Sequence, residues 1–487
     1  MSSRAADAFG DFQTPVDLAR KVWTSLPVDG VRAVIEPTVG TGAFLAAAPK
    51  EMRGVMWRCF DIRAEYVDRT AGLVSLLGLD DVQVEVRDAF DVASEHLADL
   101  NREEPVLAIG NPPWVTSSEQ GRMGAKNLPQ KKNDGFALSG LDALTGKSNF
   151  DIAEAILLRL LQALADFRDV RLAFLVKRSV AMKIAKRLLG VAEALSFSRI
   201  DAARWFGVSV DAGVFYAQIV RPAVAPVASV DLAEQIGALP SRRAGMYEGE
   251  FVEDLDAHAR VAGFSATSSV PWRQGIKHDV ARILELRLLP DGRLINGLDV
   301  EVDVESEVLV PLYKGSDVAR GRGPSRLFPL YQIDLAGPDV QLDRKWPRLA
   351  RYLRMHRYAF EARRSRIYRG KHPFFLFGVG PYLAAPWKVV ICGLYRSPVF
   401  RVLGPADGRP AVVDDTCYLL PYPDEESAAT VAAHLNDTDA QQLIASLVDG
   451  RAKRPFTKAV LSRVAVPVVP GLEEKADAQL ALLQADG

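Results

Sequence analysis

Asn111-Pro112-Pro113-Trp114 combines an amide, two prolines and a large aromatic directly after the apolar run Val106, Leu107, Ala108, Ile109 and Gly110. The run reads as a short buried strand, and Gly110 marks its end. Each proline fixes its own φ and biases the residue before it towards an extended shape, so Asn111 and the Pro112 carbonyl are held in a stiff turn. One amide oxygen and one carbonyl oxygen on a rigid loop are two acceptors aimed at one point. Such a pair suits an exocyclic amino group, which has two N–H donors, and Trp114 offers a face for stacking a flat ring. A proline-rich corner with a buried Trp has the same local sequence. The order of the segments before it separates the two readings.

Those segments predict an α/β sheet with helices on both faces. Phe12-Gln13-Thr14-Pro15 precedes an apolar stripe, Val16, Leu18, Ala19, Val22 and Trp23, with Thr14 as the expected helix cap and Pro15 in the first turn. A buried strand over 31–35 then runs into Glu36-Pro37-Thr38-Val39-Gly40-Thr41-Gly42-Ala43-Phe44. Strand, glycine turn and helix make a nucleotide-cofactor corner, because Gly40 and Gly42 let a ligand approach the backbone closely. A second strand ends at Asp61, where an acid commonly takes ribose hydroxyls. A third, 82–86, leads to Asp88, a candidate acceptor for an adenine amine, with Phe90 to pack on the ring. Glu36, Asp61 and Asp88 at successive strand ends, followed by Asn111, place four polar groups where open parallel sheets bind ligands.

Residues 115–148 are too long for an ordinary connection and read as a functional loop. A helix follows over 152–163, with Phe150 at its mouth as a second candidate stacking face. Leu172–Val176 reads as another strand before Lys177-Arg178-Ser179, and a last pair around Ile200 and 214–220 completes the sheet.

With 487 residues, 48% hydrophobic and 25% charged, the chain has enough apolar content for two or three cored domains. Net charge is −1, so any affinity for a polyanion must come from a local patch. Cys59, Cys392 and Cys417 lie far apart, with neither zinc spacing nor a disulfide framework. The sequence contains neither a signal-peptide core nor an apolar run of roughly 20 residues, so no membrane association and a cytoplasmic location are expected. The domain reading is a catalytic domain over 1–230, a linker over 231–265, a second domain over 266–470 and a tail over 471–487.

The patch lies between Asp343 and Lys371, which contains eleven Lys/Arg and two Asp/Glu. Arg344, Arg348, Arg351 and Arg354 recur at three- and four-residue steps and share one face of an expected helix, with Trp346, Leu349, Leu353 and Phe360 roughly opposite. Arg357, Arg363, Arg364, Arg366, Arg369 and Lys371 continue it. Such a concentration of one sign is the footprint of phosphate contact.

Taken together, these residues resemble the amino-methylating DNA methyltransferases of the gamma group, whose cofactor motifs precede the catalytic motif and whose target-recognition domain is C-terminal. The resemblance covers about 1–220 in family order. Phe12 to Pro15 looks like the first cofactor segment, Glu36 to Phe44 the glycine turn, Asp61 the ribose acid, Asp88 the adenine-contacting acid and Asn111 to Trp114 the catalytic motif. Arg273-Gln274-Gly275-Ile276 and Lys314-Gly315-Ser316-Asp317 look like segments of restriction-associated recognition domains. The chain departs from the family pattern at Trp114, which replaces a commoner Tyr or Phe, and at Lys177-Arg178-Ser179, where a proline is usual.

The resemblance implies a Rossmann-like class I methyltransferase sheet plus a C-terminal mixed α+β target-recognition domain. It also implies S-adenosylmethionine as cofactor, and methylation of the N6 amine of a flipped-out adenine in duplex DNA within a restriction-modification or phage-defence system. Asn111, Pro112, Pro113 and Trp114 would be catalytic. Phe12, Thr14, Pro15, Glu36, Pro37, Gly40, Gly42, Asp61, Asp88, Phe90 and Asn111 would hold the cofactor. Trp114, Phe150, Lys314, Arg344, Arg348, Arg351 and Arg364 would meet DNA. Double-stranded DNA and a cognate restriction endonuclease or defence-system partner are the expected partners, no metal is expected, and a monomer is the favoured state. Cytosine N4 fits the same acceptors. A non-catalytic DNA-binding specificity protein is the reading from another class.

Overall fold

One ten-stranded sheet spans the first half of the chain in the computed structural model, which describes residues 12–115, 151–266, 268, 270–331 and 338–467. The chain divides into two units, 1–256 and 257–487.

In the first unit the strands are β1 (Ala33–Glu36), β2 (Met56–Asp61), β3 (Val82–Val86), β4 (Val106–Gly110), β5 (Asp169–Lys177), β6 (Ala194–Arg199), β7 (Ala212–Val220), β8 (Ser229–Ala233), β9 (Arg242–Tyr247) and β10 (Glu250–Val252). Their order across the sheet is β10-β9-β8-β6-β7-β5-β4-β1-β2-β3. The run from β3 to β5 is parallel and β7 is antiparallel to both β5 and β6. After β1 the chain adds β2 and β3 on one side and β4 on the other, which makes β1/β4 the topological switch point where open α/β sheets bind ligands.

Alternation along the central strands shows both faces buried. Ile35, Ala108, Leu172 and Phe174 join one core, and Val34, Leu107, Ile109, Ala173 and Leu175 the other. Helices α4 (Ile152–Ala163) and α5 (Arg178–Leu188) pack on the first face, and helix α1 (Val16–Thr24) on the second. Helix α2 (Ala43–Ala46) follows the glycine turn, α3 (Ala64–Leu77) follows β2, and α6 (Ala202–Phe206) follows β6.

Two local expectations change. Thr14 makes no cap bond to α1, whose first turn instead bonds the Pro15 carbonyl. The residues read as a linker, 231–265, carry most of β8 to β10, because Ser196–Ser198 of β6 pair in parallel with Asp231–Ala233 and extend the sheet. Lys177 is ion-paired with Asp151, and Arg178 with Glu253, which accounts for the departure after β5. The loop over 116–148, Phe150 and the tail 471–487 lie outside the described residues.

The second unit is mixed α+β. Strands β11 (Arg273–Gln274), β16 (Trp387–Cys392), β17 (Arg401–Leu403) and β19 (Cys417–Tyr422) form an antiparallel sheet ordered β11-β19-β16-β17. Strands β14 (Leu309–Tyr313), β15 (Arg326–Pro329) and β18 (Val412–Val413) form a mixed sheet, β14 antiparallel to β15 and parallel to β18, and β12 (Arg287–Leu288) pairs with β13 (Leu294–Ile295) as a hairpin. Helix α7 (Gly315–Arg320) follows β14. Cys392 and Cys417, distant in sequence, are direct cross-strand partners as free thiols. Among the described residues, no helix is long and apolar enough to cross a membrane.

Candidate active site

The carboxyl ends of β1 to β4 open into one cavity of about 260 Å³. Glu36 ends β1, Asp61 ends β2, Asp88 follows β3 and Asn111 follows β4, and all four line it together with Phe12, Thr14, Pro37, Gly40, Phe90 and Pro113. Pro15, Gly42, Pro112 and Trp114 do not line it.

The glycine turn is braced by its neighbours. Gly40 and Gly42 have φ of 53° and 78°, in the left-handed region that costs a residue with a Cβ. Space argues the same way: a Cβ on Gly42 would lie 2.9 Å from Leu73 Cδ2. The Gly40 N–H donates to Asp61 Oδ2 at 2.9 Å and the Arg63 N–H to Asp61 Oδ1 at 3.0 Å. Asp61 therefore clamps β2 to the turn, while each of its oxygens keeps acceptor capacity for a ligand hydroxyl. The Thr41 N–H donates to Gln13 Oε1 at 3.0 Å, tying the 12–15 segment to the same turn. Asp88 caps the short helix after β3 by accepting from the Phe90 N–H at 3.0 Å.

Asn111 is oriented from behind. Its Nδ2 donates to the Phe12 carbonyl at 2.9 Å and to Thr14 Oγ1 at 3.2 Å, while Oδ1 is buried with no hydrogen-bond partner among the described residues. That orientation of the amide is assigned by its donors, since a flipped amide would set oxygen against the Phe12 oxygen. Glu36 Oε2 and Thr38 Oγ1 are likewise buried and unpartnered among the described residues. Burial pushes the Glu36 carboxyl well above its ordinary value, and the Asp61 carboxylate adds to the rise. Three unmet polar atoms around one cavity suit a ligand with several donors, because leaving such atoms bare inside a protein costs free energy.

Trp114 departs from its expected role. Its side chain is 7% exposed, its Nε1 donates to the Leu175 carbonyl at 3.1 Å, and its ring sits 5.6 Å from Phe12 and 5.1 Å from Phe206. In this structure it packs in the core and anchors Phe12 rather than offering an open face. Gln13, Thr38, Ile62, Arg63 and Tyr66 also line the cavity, and nothing in their residue types marks them in the sequence. Gln13 sits inside the 12–15 segment and Ile62-Arg63 directly follow Asp61, so position is the available signal.

In the second unit the expected basic helix is three: α8 (Pro338–Lys345), α9 (Pro347–Met355) and α10 (Arg357–Glu361). Pro347 opens α9, and buried Glu305 accepts from the Arg348 and Leu349 N–H groups at 2.7 and 3.0 Å. The Arg348 guanidinium pairs with Asp303 at 2.9 Å, Arg354 pairs with Asp343, and Arg357 with Glu361 at 2.7 Å. Arg344, Arg351 and Arg364 are exposed, with no acidic partner among the described residues.

Lys314 is likewise reassigned. Its Nζ lies 2.6 Å from the largely buried Glu285 and 3.1 Å from the buried Asp414. The cation holds two acids inside the fold and is spent there. Lys314→Ala should therefore destabilise the second unit, towards the lower end of the about 3–5 kcal/mol seen on breaking buried pairs, since Lys314 keeps some contact with water. Denaturant unfolding checks this; a change under about 0.5 kcal/mol, the size of an ordinary surface effect, would show the network to be dispensable.

No protein-family profile matches the chain. It is 36% identical over 477 residues to the Type II methyltransferase M.NspV of Nostoc sp. (strain ATCC 29411 / PCC 7524), an alignment that covers 95% of this chain and 97% of that one. The fold is similar to that of the Type IIL restriction-modification enzyme MmeI, solved in complex with DNA, with a TM-score of 0.58 at 12% identity over all of this chain and 72% of that one.

Proposed function

The chain belongs to the Type II methyltransferases, and from that premise we propose that it methylates the N6 amine of an adenine at a specific site in duplex DNA as the modification arm of a restriction-modification system. S-adenosylmethionine is the methyl donor of this class I fold, and when bound it supplies an electrophilic methyl group. The cavity fits it: the Gly40–Gly42 turn allows close backbone approach, Asp61 and Glu36 offer oxygens to hydroxyls, and Phe90 and Ile62 line the wall.

The observation that carries the reading is the single free acceptor of Asn111 on a fixed amide. An aromatic amine is a weak nucleophile because its lone pair is delocalised into the ring. Acceptance of its two N–H bonds by Asn111 Oδ1 and the Pro112 carbonyl returns that pair to the nitrogen and aims it. Holding two reactants in line supplies much of the rate. A base inside a duplex cannot reach this loop, so the target is flipped out. The second unit, with exposed Arg344, Arg351 and Arg364, serves as the DNA target-recognition domain.

Methylation mapping of plasmid DNA from cells expressing the protein tests the reading. Modified adenines in one short sequence context are expected. Modified cytosine amines would move the assignment to N4 chemistry, and unmodified plasmid with intact cofactor binding would overturn DNA as the substrate.

A further inference from the structure

Ion pairing removes most of the helical arginines from the free positive surface, which raises the question of where unneutralised charge remains. It concentrates just after α10. Phe360, Arg363, Arg364, Tyr368, Arg369 and Lys371 line a second cup, of about 530 Å³. Arg364, Arg369 and Lys371 are exposed, and none has an acidic partner among the described residues.

The acids that could cancel this charge are occupied. Glu361 on the rim is held by Arg357 at 2.7 Å. Asp279 and Asp415, whose fields reach Tyr368, are bridged by Lys277 at 3.3 and 3.4 Å. The cup is also built rather than draped. Arg363 donates to the carbonyls of Phe360, His278, Phe375 and Pro373, stapling both sides of the turn. Its guanidinium stacks 3.6 Å above the ring of the buried Tyr368.

We propose that this cup binds a backbone phosphate of the DNA: Arg364, Arg369 and Lys371 are the phosphate contacts, and Arg363 is a positioning residue that fixes the turn bearing them. Contacts to phosphate fix register and orientation but carry no sequence information, so the cup supplies affinity and register without sequence preference. The inference rests on duplex DNA being the substrate.

The test is fluorescence-anisotropy binding of the full chain to a labelled specific duplex and a scrambled one over a salt series. The comparison is wild type against the triple variant Arg364→Ala, Arg369→Ala and Lys371→Ala. Each neutralised phosphate contributes about 0.9 to the slope of log affinity against log salt, so the triple variant, which leaves this one phosphate bare, should lose about 0.9 of slope, equally for both duplexes. Far-ultraviolet circular dichroism confirms folding, and restoring charge with Arg364→Lys and Arg369→Lys beside native Lys371 should recover most of the slope. An unchanged slope in a folded triple variant overturns the proposal; a pyrophosphate-induced rise in melting temperature that is lost in that variant would then give the cup to a free phosphate. Loss of discrimination between the duplexes with an unchanged slope also overturns it, as base reading. Failure of the wild type to bind either duplex defeats the DNA reading itself, a distinct outcome.

Discussion

Asn111→Ala should lower methyl transfer by about a thousandfold while leaving cofactor affinity nearly unchanged. Removal of one preorganised hydrogen-bonding group at a reacting centre costs roughly two to three orders of magnitude in turnover, and here that group is also the orienting one. Cofactor affinity is spared because the oxygens at the ends of β1, β2 and β3, with the braced glycine turn, stay in place. The substitution also removes the two bonds that Asn111 Nδ2 donates, to the Phe12 carbonyl and to Thr14 Oγ1, so the 12–15 segment loses both of these ties. Its bond from the Thr41 N–H to Gln13 remains. Single-turnover methylation beside calorimetric titration of the cofactor separates the effects. Wild-type turnover in the variant would remove Asn111 from the chemistry, and loss of both quantities together would assign it to holding the cofactor segment.

The second large effect is at Asp61. Its two oxygens accept from Gly40 and Arg63, and charge-assisted bonds of this kind are worth about 1.5–3 kcal/mol each. Asp61→Ala should weaken cofactor binding by one to two powers of ten, from the loss of the brace and of the ligand oxygens together, and lower the melting temperature. A pH consequence follows. Burial first, and Asp61 second, raise the Glu36 carboxyl, so the folded chain holds that proton more tightly than the unfolded one. Stability from this group therefore falls as pH rises from the ordinary carboxylate range through the raised value. In Asp61→Ala the fall should narrow without vanishing, because burial is the larger cause. Denaturant unfolding from pH 4 to 8 reads it; a slope identical in wild type and variant would show that the two carboxylates do not communicate.

The succession of strand ends is legible in the sequence. Short apolar runs stop at Glu36, Asp61 and before Asn111, and the glycines between 40 and 42 mark a turn with left-handed backbone, so the succession of strands along the chain and the polarity of their ends follow from local pattern. Helix 152–163 was equally legible, since leucine spacing and the Asp151 cap are properties of consecutive residues. Tertiary structure alone decided what each side chain spends itself on. Trp114 is equally suited to a base or a core, and only Phe12, Phe206 and the Leu175 carbonyl, none beside it in sequence, settle it in the core. Lys314 and Arg348 looked free because Glu285, Asp414 and Asp303 lie 29, 100 and 45 residues away. The same holds for the pairing of Cys392 with Cys417 and of β6 with β8. The physical reason is range. Backbone conformation is biased by neighbours a few residues off, whereas neutralisation, burial and strand pairing depend on partners that only folding brings within a few ångströms.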